Sequence, residues 1–326
     1  MNGLEQRILQ VNDADFEEVA LQVFRYQYQS VELYGRFCGA FGKTPDTVKT
    51  WIDIPFLPIS FFKTHKVLAK DKQSALVFES SGTTGMVSSK HYVAEPALYE
   101  RSFLKAFQQF YGNPEDYTIL ALLPSYLERG NSSLVYMADK LINLSGHAES
   151  GFFLHDFERL HNVLKQLKEQ GRKTLLLGVT YALLDFAEQF PILFPDLLVM
   201  ETGGMKGRRE ELTRPEVHEI LTKGFGVKTI HSEYGMTELL SQGYSKGNGI
   251  FTLPAWMRIV PRDVYEPTNL VAPGETGAVN VIDLANLYSC SFIATNDMCR
   301  LHNDGSFEIL GRMDNAELRG CNLMYV

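Results

Sequence analysis

From about residue 74 onward, short apolar runs alternate with longer stretches of helical period, and this alternation restricts the fold more than any other feature. The runs fall at 75–78, 117–123, 174–179, 197–200 and 227–230. Helix-like stretches separate them, near 96–111, 133–144, 157–170, 180–190 and 208–224. Strands alternating with helices form βαβ units, so the expected class is α/β with a mostly parallel sheet flanked by helices. Such sheets bind ligands beyond the carboxyl ends of their strands.

The flanks read differently. Residues 13–41 are helical in pattern, with Asp15 and Glu18 at capping-box spacing and Phe16, Val19, Ala20, Val23 and Phe24 at helical period. Residues 52–67 are apolar and aromatic but broken by Pro55 and Pro58, which suits a loop or short strands against the body. From about 250 strand and turn signals dominate, among them Gly274, Gly277 and an Asn303-Asp304-Gly305 hairpin turn between His302 and Phe307. The expected organisation is a helical entry over 1–75, an α/β core over 76–248 and a β-rich subdomain over 249–326.

A formal net charge of −8 without basic clusters argues against a nucleic-acid partner. The polar, acidic start lacks the pattern of a secretory leader, and no run reaches the 18 apolar residues of a membrane span. Cys38, Cys290, Cys299 and Cys321 show no close-spaced disulfide pattern, so free thiols in a reducing cytoplasm are expected.

Four segments carry candidate chemistry. Ser80-Ser81-Gly82-Thr83-Thr84-Gly85 follows an apparent strand. Small residues let such a loop curl until its N–H groups converge on an anion, hydroxyls add donors, and Lys90 is a candidate countercharge. No Gly-Lys-Ser/Thr follows Gly85, so it is not a Walker A loop, and the G-x-G-x-x-G spacing is missing. Taken by itself the segment reads equally as a surface turn. Glu201-Thr202-Gly203-Gly204, Tyr234-Gly235-Met236-Thr237-Glu238, and Asn296-Asp297 with Gly311-Arg312-Met313-Asp314 come after it in that order.

Together, over residues 80–314, these segments resemble the ordered motif series of adenylate-forming enzymes: acyl-CoA synthetases, luciferases and adenylation domains. Within that superfamily the chain looks like the acyl-protein synthetase (LuxE-type) branch. The stretch Leu57-Pro58-Ile59-Ser60-Phe61-Phe62-Lys63 and the ending Leu318-Arg319-Gly320-Cys321-Asn322-Leu323 support this branch.

The resemblance implies the following roles. Residues Ser80 to Gly85 hold the ATP phosphates, aided by Lys90. Thr237 touches the α-phosphate, and Glu238 ligates Mg²⁺, a hard cation suited to a carboxylate. Tyr234 stacks on adenine beside Gly235, while Gly203 and Gly204 line the adenine pocket. Asp297 accepts hydrogen bonds from the ribose hydroxyls, and Arg312 contacts ribose or phosphate. The chain departs from the family in two places: Lys90 lies five residues beyond Gly85 with no proline between, and Asn296 stands where glycine is usual.

Relatives usually carry a mobile C-terminal domain after the Gly-Arg-x-Asp segment, and its absence is expected here because few residues follow Asp314. Acyl-protein synthetases also end early. They pass the acyl group to their own cysteine, which the resemblance places at Cys321, and then to a reductase partner; a thiolate is a good acyl acceptor. Arg319 nearby would favour the thiolate.

Three readings stay open: self-acylation, delivery to an external thiol, amine or carrier protein, and nucleotide binding without catalysis. A zinc reading, from Cys299 and His302 with Cys290 and Cys321, is disfavoured by irregular spacing. Residues 122–126, 130–133, 178–181 and Phe152-Phe153 are candidate walls for a fatty or aryl acid.

Overall fold

The computed structural model describes residues 3–80, 87–124, 131–204, 209 and 212–313. Along the chain the strands are β1 (Leu57–Pro58), β2 (Leu76–Glu79), β3 (Lys90–Val93), β4 (Thr118–Leu122), β5 (Gly151–Phe152) and β6 (Thr174–Val179). They continue as β7 (Leu198–Thr202), β8 (His231–Tyr234), β9 (Gly243–Ser245), β10 (Ile250–Thr252) and β11 (Met257–Arg262). The last three are β12 (Thr276–Asp283), β13 (Phe292–Leu301) and β14 (Phe307–Arg312). Two compact units emerge, one from segments 3–61, 67–72 and 255–313, the other from the described residues of 62–66 and 73–254.

The second unit holds the α/β sheet, in the order β5-β4-β6-β7-β8-β9-β10. Strands β5 through β8 run parallel, and β9 and β10 are antiparallel additions. Every residue of β4 and β6 is buried, as expected of parallel strands covered on both faces. Helices Pro96–Tyr111, Ser133–Ser145, Phe157–Glu169, Thr180–Gln189 and Arg214–Phe225 intervene in sequence.

Local chemistry sets the helix ends. The Ser132 hydroxyl accepts from Val135 N, and Asp156 Oδ1 from Arg159 N at 3.0 Å. A Thr213–Glu216 capping box opens the helix that Gly226, at φ +66°, closes. Leu160, Leu164 and Leu167 form the fully buried stripe of helix Phe157–Glu169, so each leucine contributes about 1.5–3 kcal/mol by leaving water. A separate antiparallel pair, β2–β3, pairs Glu79 with Lys90.

The first unit is built on the antiparallel sheet β11-β12-β13-β14. Strand β1 runs parallel to β13 at Ile293 and Ala294, so the proline-broken stretch contributes one short strand. Helices Gly3–Gln10, Phe16–Ser30 and Glu32–Ala40 belong to the same unit. The fully buried Gln27 amide donates to the carbonyls of Asn286 and Leu287, and its oxygen accepts from Ser291 N. Tyr34 stacks on Phe292 at 6.0 Å, with Phe24 and Phe56 edge-on to the same ring.

The Asn303-Asp304-Gly305 turn closes β13–β14 as expected, with His302 N bonded to Ser306 O and Gly305 at φ +82°. The Asp15 capping box does not form. Asp15 Oδ1 instead accepts from Asn12 N at 2.7 Å, and Glu18 is taken by Arg7 and Gln22. Among the described residues no helix is long and apolar enough to cross a membrane.

Candidate nucleotide site

In the α/β unit two motif segments emerge at the same end of the sheet. Gly203 and Gly204 follow the carboxyl end of β7, and Gly235 through Glu238 follow the carboxyl end of the adjacent parallel strand β8. Gly203 holds φ +79°, a turn that favours glycine. A Cβ built on Gly204 would meet no described atom within 4 Å.

Thr202 and Glu233, the last pairs before these turns, are cross-strand partners, and the Thr202 hydroxyl donates to Glu233 Oε2 at 2.5 Å. Burial pushes the Glu233 carboxyl up to about 7; the neighbouring Glu201 adds to this and the Thr202 bond opposes it. Burial also pushes Glu201 up, but His218, Arg214, Ser232 and Thr180 outweigh it and hold the carboxyl below its ordinary value. The Thr180 hydroxyl donates to Glu201 Oε2 at 2.9 Å, while His218 Nε2 and Arg214 Nε lie 3.8 and 3.9 Å from Oε1. Two buried glutamates thus sit behind the turns, one ionised and one poised near neutrality.

Gly235 has a specific reason to be glycine: a Cβ there would overlap Glu233 Oε1. Tyr234 is buried and edge-on to Phe251, with ring centroids 6.1 Å apart. Thr237 is partly exposed, and Glu238 is 5% exposed.

Ser80 directly follows β2, and there its N donates to Ser89 O at 3.0 Å and its hydroxyl accepts from Ser89 N at 2.9 Å. These bonds close the neck of the loop, whose Ser81, Gly82, Thr83, Thr84 and Gly85 lie outside the described residues. Lys90, the candidate countercharge, lies 3.5 Å from Glu79 with both side chains partly exposed. A cleft of about 400 Å³ opens beside β2, lined in part by Phe78, Tyr136 and three of the candidate acyl-wall residues, Asn131, Ser132 and Phe152. By contrast Leu122, Leu123, Val179, Thr180 and Tyr181 are buried.

In the other unit, Asp297 on β13 pairs across the ladder with Arg312 on β14, whose Nε donates to Asp297 Oδ1 at 3.1 Å. The Asp297 side chain is 9% exposed and that of Arg312 is 79% exposed. The Thr295 hydroxyl accepts from Asp297 N, and a register shift between Met298 and Cys299 follows at once. Behind Thr295 lies a residue that motif reading passed over. The buried Arg262 donates to the carbonyls of Val279 and Thr295 at 2.6 and 2.7 Å and to Asn280 Oδ1 at 2.9 Å.

Cys290 and Cys299 are buried, and burial pushes the Cys299 thiol up to about 12. Among the described residues no three His, Cys, Asp or Glu side chains cluster as metal ligands. Cys321 lies outside the described residues.

A family model described as acyl-protein synthetase, LuxE, matches residues 10–325. A comparison with curated proteins found no match. Among solved structures, 2-hydroxyisobutyryl-CoA ligase in an open conformation with 2-HIB-AMP and CoA matches with TM-score 0.67 and 14% identity. That match covers 95% of this chain and 72% of the ligase. ATP-bound MatB from Rhodopseudomonas palustris matches with TM-score 0.55 and 18% identity, over 85% of this chain and 56% of MatB. At these identities the likeness establishes a shared fold, that of the cores of adenylate-forming enzymes.

Proposed function

This chain belongs to the acyl-protein synthetase (LuxE) family, and on that premise we propose that it activates a carboxylic acid with ATP as an acyl-adenylate and passes the acyl group to its own Cys321. The observation that carries the reading is the pair of turns after β7 and β8, locked together by the Thr202–Glu233 hydrogen bond. They bring the Gly203-Gly204 and Tyr234–Glu238 segments to one end of a parallel sheet, where ligands of such folds bind.

In this reading Gly203, Gly204, Tyr234 and Gly235 receive the adenine. Asp297 accepts from the ribose hydroxyls, which suits a carboxylate fixed by Arg312 and by its own backbone bond to Thr295. Arg312 keeps four-fifths of its side chain in solvent and is available to sugar or phosphate oxygens. Ser80 to Gly85 hold the phosphate chain, Lys90 supplies a nearby charge, and Thr237 donates to the α-phosphate. Glu238 offers a hard carboxylate donor for Mg²⁺, which when bound neutralises phosphate charge.

The acid needs no general base, because a carboxylate with a pKa near 4 is ionised at neutral pH. Its oxygen attacks the α-phosphorus, an O–P bond forms, the bond to the β-phosphate breaks and pyrophosphate leaves. Positioning and charge neutralisation supply the catalysis. The Cys321 thiolate then attacks the acyl carbon, a thioester forms and AMP leaves. A fatty or aryl acid is the favoured substrate: the cleft beside β2 offers Leu76, Val77, Phe78, Val135, Tyr136 and Phe152 along with the polar Asn131, Ser132 and Asp139. A reductase or carrier protein is the onward acceptor.

Exchange of labelled pyrophosphate into ATP across a panel of acids tests the first half-reaction. Exchange dependent on a fatty or aryl acid supports it, and no exchange with any acid refutes it. Intact mass after incubation with ATP and the best acid tests the second. The whole chain should gain one acyl group that Cys321→Ser loses; if that variant still gains it, Cys321 is not the acceptor.

A further inference from the structure

His91 belongs to none of the motif segments, yet it joins two of them. It lies on β3 opposite Phe78 of β2, one residue beyond the Glu79–Lys90 pair and two beyond the Ser80–Ser89 clamp at the neck of the glycine loop. Its side chain is fully buried, with the ring edge-on to Phe62 at 5.8 Å and 87°. Its Nδ1 is 2.8 Å from the backbone carbonyl oxygen of Thr237, 146 residues away in sequence. A carbonyl can only accept, so Nδ1 carries the proton and His91 is the donor.

The strand that closes the hydroxyl-rich loop is therefore hydrogen-bonded through one imidazole to the turn that presents Thr237 and Glu238. Strand β3 and the turn after β8, which are not paired in the sheet, are held to one another by this bond.

We infer that His91 is a positioning residue for adenylation, fixing the turn that presents Thr237 and Glu238 to strand β3 by donating from Nδ1 to the Thr237 carbonyl. The inference rests on the reading that these segments engage the phosphates of ATP. Catalysis by positioning is sensitive to small displacements, a misplacement of about 1 Å costing about 100-fold. Contacts to adenine and ribose come from other residues, so the loss belongs in kcat rather than in KM for ATP.

The test compares His91→Asn, His91→Gln and His91→Phe in acid-dependent pyrophosphate exchange, with circular dichroism and thermal melting as folding controls. Asparagine places an amide donor where Nδ1 stands. Glutamine carries its amide further out, and phenylalanine keeps the ring on Phe62 but has no donor. For H91F and H91Q, kcat should fall about 10–100-fold with KM for ATP within about fivefold, while H91N stays close to wild type. A role in packing alone reverses the order, because H91F then becomes the mildest change. If H91F fails to fold, H91N against H91Q carries the same comparison. Wild-type exchange together with H91F or H91Q at least as active as H91N overturns the inference alone. Wild type that exchanges with no acid overturns the adenylation reading and this inference with it.

Discussion

Thr202 and Glu233 share a buried hydrogen bond across two parallel strands, and Glu233 is poised to lose its proton near neutral pH. The groups facing it are Glu201 on β7, Tyr244 directly opposite on β9, and Tyr111. None of them offers a compensating positive charge. The folded state therefore holds a proton that the unfolded chain releases at its ordinary value of 4.5. Between 4.5 and about 7 the native state binds more protons, so this residue's contribution to stability falls as pH rises through that window. Glu233→Gln cannot ionise. Its stability relative to wild type should be greater at pH 8 than at pH 5, by on the order of 1–3 kcal/mol. Urea unfolding of both proteins at the two pH values measures this; an identical difference at both would refute it.

The Glu233 carboxylate also dictates its neighbour. A methyl group at Gly235 would overlap Oε1, while Glu233 is held by its strand pairing to Tyr244 and by the Thr202 hydrogen bond to its other oxygen. Gly235→Ala should cost about 1–3 kcal/mol, the usual range for overpacking. Denaturant midpoints check this, and an unchanged midpoint would show that the carboxylate can move aside.

Asp297 and Arg312 should separate function from stability. With Arg312 largely in solvent, Arg312→Ala should change unfolding free energy by less than about 1 kcal/mol. Asp297→Asn should raise KM for ATP in pyrophosphate exchange at least about tenfold, since hydrogen bonds to a charged group carry about 1.5–3 kcal/mol. An unchanged KM would remove Asp297 from the ribose site.

Arg262 presents the opposite case. Burial pushes its guanidinium down to about 10, and its bonds go to two carbonyls and an amide oxygen. Arg262→Met leaves buried acceptors unsatisfied and should destabilise by about 2–5 kcal/mol, with Arg262→Lys intermediate. Thermal melts of the three proteins order them, and a stable Met variant would contradict the assignment.

The parallel sheet was legible where strands are continuously apolar: residues 174–179 read as the strand they form. The run 227–230 pointed a few residues too early, because the strand is His231–Tyr234. That strand is polar, and its Ser232 and Glu233 are buried only because Thr202, Glu201 and Tyr244 lie beside them. No local hydrophobic period reports such pairing. The motif glycines were visible as motifs, but the crowding of Gly235 depends on where the buried Glu233 side chain is turned, and the clamp from His91 and the support from Arg262 are contacts between residues distant in sequence. A capping pattern at Asp15 was visible and misleading, since Asn12, Arg7 and Gln22 claimed both carboxylates.

Gln27 sets an order of events during synthesis. Its amide is satisfied by Asn286 and Leu287, 259 and 260 residues downstream, so the helix that carries it lacks these partners until the ribosome has translated them. At about 5–20 residues per second that is a wait of roughly 10–50 s. The α/β unit, whose segments end at residue 254, is translated before those partners, so helix Phe16–Ser30 waits while a unit made after it is already complete.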